Sequence, residues 1–91
     1  MIISYNDFLK TAPRQMKGVI LLSDTDLPIE KALISLSNGA AETRTDSCGC
    51  FQLKTWSDFP LDITIEHLDY KTARFRWEKG TGPIQIRLIK K

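Results

Sequence analysis

Cys50-Phe51-Gln52-Leu53-Lys54-Thr55 and, after five intervening residues, Leu61-Asp62-Ile63-Thr64-Ile65-Glu66-His67 alternate apolar and polar side chains. A period of two marks a strand with one buried face, because successive side chains leave a pleated strand on opposite sides. Phe51 and Leu53 therefore share an inner face, with Cys50, Gln52 and Lys54 outside; Leu61, Ile63 and Ile65 oppose Asp62, Thr64 and Glu66. The alternation continues over residues 72–77, with Ala73, Phe75 and Trp77 in and Thr72, Arg74 and Arg76 out. It recurs over residues 84–89, where Ile84, Ile86 and Leu88 oppose Gln85 and Arg87. Upstream, residues 16–22, 32–36 and 42–45 are further strand candidates. Turn chemistry separates them at residues 23–28, Asn38-Gly39, 46–49, 57–60 and 80–83, each rich in Gly, Pro, Asn, Asp or Ser. Seven short strands at this spacing predict an all-β fold, a seven-stranded β-sandwich.

The segment before the first strand has a different pattern. Residues 4–9 suit a short helix capped by Ser4, with Asp7 three positions on and Pro13 ending it. The expected division is an extension over residues 1–13 and one domain over residues 14–91. A chain of 91 residues holds one core and leaves little room for a deep cleft. Ten Ile, one Val and eight Thr favour strands, and 42% hydrophobic with 26% charged residues is globular composition. Thirteen Lys and Arg against eleven Asp and Glu leave +2, far from the basic surface that phosphate contacts require, so nucleic acid is not an expected partner. The first thirteen residues lack the apolar run of a signal peptide, and no stretch reaches membrane-spanning length. One His in the whole chain excludes multi-His metal sites, and no cofactor is expected.

Thr43-Arg44-Thr45-Asp46-Ser47-Cys48-Gly49-Cys50-Phe51-Gln52-Leu53 resembles the T-x-T-D-x-x-G-x-F-x-L signature of carboxypeptidase regulatory-like domains. Gly18-Val19-Ile20, Pro28-Ile29 and Ala32-x-Ile34 are similar to that family's opening, and residues 61–65 with Asp69-Tyr70 to its later strand and corner. The resemblance runs from about Gly18 to Leu88 and implies a transthyretin-like (prealbumin-like) Greek-key sandwich. It further implies a non-enzymatic accessory module of bacterial secreted or cell-envelope systems, meeting a protein partner or a neighbouring domain. Where the family has Gly, this chain has Lys31 and Asp69, so both corners are expected to use backbone geometry that a β-carbon tolerates. On physical grounds alone, Asp46 accepts from amides two or three residues on, Gly49 takes a positive φ, and Phe51 and Leu53 enter the core. Thr45, Asp46, Gly49, Phe51 and Leu53 are thus read as a structural turn motif. Asp46→Ala is expected to cost about 1 kcal/mol, measured by thermal melting.

Cys48 and Cys50, one residue apart, are candidates for a redox pair, a soft-metal site or a cross-link between copies. Two sulfurs are too few for structural zinc, and a disulfide would close only a tiny loop, so passive turn thiols are the favoured reading. His67, beside Glu66 and Asp69, invites a small-hydrolase reading, but no nucleophile can be placed next to it. The related hydroxyisourate-opening hydrolases use several His residues and a characteristic tail, both missing here. Asp24-Thr25-Asp26 lacks the later ligands of a calcium loop and reads as a polar turn. Trp56 and Phe59 are candidates for stacking on a sugar or anchoring a protein, against the favoured reading that they plug the sandwich's open end. Arg74 and Arg76 are candidate partner contacts on a face where Asp62, Glu66 and Glu78 also lie outward. A free edge strand would allow a homodimer or an added partner strand.

Overall fold

The computed structural model describes residues 14–39, 41–57, 59–79 and 82–91. The expected helix over residues 4–9 lies outside them. Among the described residues the fold is all-β. The strands are β1 (Arg14–Leu22), β2 (Leu33–Leu36), β3 (Glu42–Arg44), β4 (Cys50–Thr55), β5 (Leu61–His67), β6 (Tyr70–Trp77) and β7 (Ile84–Leu88). They make two sheets, ordered β4-β1-β7 and β3-β2-β5-β6. The β1 and β7 strands run parallel, from Gly18 opposite Ile84 to Leu22 opposite Leu88, while the other named pairs are antiparallel. None of the described segments is a helix long and apolar enough to cross a membrane.

The alternating positions supply the core. Ile20, Ile34, Leu53, Ile63, Ile65, Trp77 and Leu88 are almost wholly buried, with Met16, Leu36, Phe51, Leu61 and Ile84 around them. Each such aliphatic side chain contributes about 1.5–3 kcal/mol through removal from water. Trp77 takes Phe51 and Phe75 edge-on at 6.4 and 6.2 Å, the arrangement that sets a ring's positive edge against another's negative face.

Strand β6 begins two residues earlier than the alternation predicts, for a visible reason. Ile65 pairs with Ala73 but His67 with Tyr70, so the register slips and the period-two pattern is lost before Thr72. The early residues are held from the other side: Tyr70 bridges Lys90, the Lys71 amide donates to the Ile89 carbonyl at 2.8 Å, and the Lys91 amide to that of Asp69 at 3.1 Å.

Candidate functional site

The segments around Gly18, Pro28-Ile29, Ala32 and residues 43–53, quoted for the family resemblance, meet in one place. At the β3–β4 turn, the Asp46 carboxylate accepts from the amides of Cys48 and Cys50, each at 2.9 Å, two and four residues on. The chain then needs φ +75° at Gly49, and a β-carbon there would lie 2.5 Å from the Ile20 carbonyl oxygen and 3.2 Å from both the Ile29 nitrogen and the Pro28 β-carbon. Just upstream, the buried Thr45 hydroxyl donates to the Ile29 carbonyl at 2.7 Å and accepts from the Ala32 amide at 2.9 Å. It thereby fastens the β1–β2 connection to the turn. Gly18 stands opposite Phe51, whose ring fills the space of the missing side chain, 2.6 Å from where a β-carbon would be. Phe51 and Leu53 are buried in the core.

One expectation about the corners is corrected. Lys31 has φ +65°, a left-handed geometry that opposes a β-carbon, while Asp69 is not among the positive-φ residues. Lys31 is held there because its amide donates to the Thr45 carbonyl at 3.0 Å.

His67 spends both ring nitrogens on backbone. Nδ1 accepts from the Asp69 amide at 3.0 Å, which leaves the proton on Nε2, where it is donated to the Glu30 carbonyl at 3.2 Å. The ring also meets Tyr70 edge-on at 4.9 Å. Such an imidazole ties a strand end to the β1–β2 connection through both nitrogens. Cys48 and Cys50 are free and exposed, and the Cys50 thiol lies 3.8 Å from the Cys48 carbonyl oxygen. Among the described residues, no three His, Cys, Asp or Glu converge in a way that would hold a metal ion.

The outer faces of the two sheets differ in charge. Strands β4, β1 and β7 contain no Asp or Glu; Lys17, Lys54 and Arg87 stand among Gln15, Gln52 and Gln85, with Gln52 donating to Gln15 at 2.8 Å. Arg87 reaches Asp26 in the β1–β2 turn at 2.8 Å. The other sheet mixes signs: Arg76 meets Asp62 directly across the strand pair at 3.0 Å. The hydrogen bond and charge of Asp62 push the Arg76 guanidinium above its ordinary value. Two open clefts of about 620 and 610 Å³ flank these faces. The first is lined by Lys17, Val19, Arg44, Cys50 and Gln52. The second sets Lys31, Arg44, Lys91 and Glu66 around Leu33 and Leu68.

The candidate contact residues do not form one site. Trp56 follows the end of β4, opposite the end that carries Cys50, whereas Arg74 and Arg76 lie on β6 in the other sheet. Phe59 is partly buried against the core, with the Arg14 guanidinium 5.4 Å from its ring centre, while the plug reading is corrected for Trp56, which is 66% exposed. Leu68, 90% exposed at the β5–β6 turn, was not singled out in the sequence; an apolar residue at a hairpin tip, next to Asp69, was the available signal. The chain matches no protein-family model and no characterised protein at a significant level.

Proposed function

We propose that this chain is a non-enzymatic β-sandwich module that makes protein–protein contact or sets spacing, in the bacterial secreted or cell-envelope setting that its resemblance to carboxypeptidase regulatory-like domains implies. One observation carries the reading: Thr45, Asp46, Gly49 and Phe51 are consumed by a single interlocked turn, and His67 by two backbone bonds, leaving sheet faces and edges for recognition. The meeting of Gly18, Pro28-Ile29, Ala32 and the 43–53 segment also supports the transthyretin-like topology, because each quoted piece of the motif has a contact in another. The test is photo-crosslinking in cells from a photoreactive residue placed at Arg74 or at Trp56. A discrete protein adduct from one position, with purified protein inert towards ester and peptide substrates, is the expected result. Turnover of such a substrate would overturn the proposal.

A carbohydrate-binding reading rests on Trp56, exposed just after β4 in a sheet whose strands contain no Asp or Glu and carry Gln15, Gln52 and Gln85. It predicts quenching of Trp fluorescence by members of a glycan array, and a flat response across the array removes it.

A further inference from the structure

We infer that the open edge of β6 accepts an extended partner strand in which acidic and apolar residues alternate; this rests on the interaction-module reading and names the partner's chemistry. Among the described residues each sheet has two edge strands, and β6 is the longest of the four, Tyr70–Trp77 against three residues in β3. The chain's own residues 89–91 cover only its start, through the Tyr70–Lys90 bridge and the Lys71 bond to Ile89. Beyond that point, among the described residues, residues 72–76 have β5 on one side and pair with no strand on the other. A strand edge carries backbone donors and acceptors that a further strand can pair.

Side chains on the two faces of β6 then select the newcomer. Thr72, Arg74 and Arg76 are exposed on the outer face, where Arg74 lies opposite Thr64 with no acid across from it, while Arg76 already has Asp62. Ala73 and Phe75 point the other way and are only half-buried, as is Ile86 on β7, the neighbouring edge of the other sheet. An added strand places its residues in register on these same two faces. Acids opposite Arg74 and Arg76 meet cations, and the alternate residues cover Ala73, Phe75 and the rim beside Ile86. A second copy of β6 fits poorly. Antiparallel pairing centred on Arg74 sets Arg74 against Arg74, and centring on Phe75 sets it against Arg76; like charges directly opposite are destabilising. The basic edge thus rejects itself while admitting an acidic strand, which is selection by repulsion as much as by attraction.

The test uses the full chain and blocked heptapeptides. One alternates valine and glutamate, one holds the same residues in separate blocks, and one alternates valine and lysine. Binding is read by fluorescence polarisation, amide hydrogen exchange locates it, and mass spectrometry of the recovered peptide reports cleavage. The alternating acidic peptide is expected to slow exchange across residues 72–77 and to bind about tenfold or more tightly than either of the others. The exposed double variant Arg74→Glu/Arg76→Glu, with its fold checked by circular dichroism, is expected to invert the preference towards the lysine peptide. Equal binding of the block peptide, no slowing at 72–77, or an unchanged preference in the double variant overturns the inference. If slowing appears on β4 or β7 instead, the inference fails while the module reading stands. Cleavage of the peptide overturns the module reading and this inference together.

Discussion

Along the β3–β4 side of the sandwich the chain crosses from one sheet to the other through the Asp46–Gly49 turn. The backbone amides of Cys48, Cys50 and Ala32 and the Ile29 carbonyl all find side-chain partners within the chain there. Along the β6–β7 side, the sheet edges meet at a bridge between Tyr70 and Lys90, and Phe75 and Ile86 stay half-buried. The first side uses its distinctive residues to close the fold. The second leaves apolar surface and basic side chains at a strand edge. The 43–53 motif therefore lies away from the β6 edge proposed for recognition, and substitutions on the two sides should separate stability from binding.

The largest effect is expected from Gly49→Ala. It adds a β-carbon 2.5 Å from the Ile20 carbonyl oxygen at a residue with φ +75°, and should cost about 3 kcal/mol or more in chemical denaturation. A variant as stable as the parent would break the account of the closed side. Thr45→Val keeps the shape but strips partners from the Ile29 carbonyl and the Ala32 amide, for about 2 kcal/mol in the same measurement. Lys31→Gly should move the other way, raising stability by about 0.5 kcal/mol, since relief of the left-handed strain exceeds the added chain entropy only slightly. On the open side, Arg76→Ala removes an exposed pair and should leave the melting temperature unchanged, while weakening the alternating acidic peptide. A clear drop in melting temperature would show that this side, too, is spent on the fold.

Strand positions were legible because burial on one face forces alternation, and Phe51, Leu53, Ile63 and Ile65 keep to it without exception. The start of β6 was not, because a register slip opposite Glu66 hides the period just where Tyr70 and Lys71 pair with the chain's last residues. The turn roles of Asp46 and Gly49 are local and could be read from spacing. The task of Thr45 could not, since its partners Ile29 and Ala32 lie sixteen and thirteen residues away and are reached only once the sheets have formed. Trp56 misled for a related reason: a ring in a turn can face the core or solvent, and only the packing of Phe59 decides which one fills the space. Which strands are edges depends on long-range pairing, so the basic side chains of β6 gained meaning only from the sheet order.

The parallel pairing of β1 with β7 gives the fold a mechanical character. Chain entering at Arg14 and leaving at Leu88 passes through two strands that lie side by side and point the same way, from Gly18 and Ile84 to Leu22 and Leu88. Tension between those two points pulls the strands past one another and loads their shared hydrogen bonds together. An antiparallel pair pulled from one end would instead open bond by bond. A fold wired in this way resists being stretched in proportion to the whole ladder.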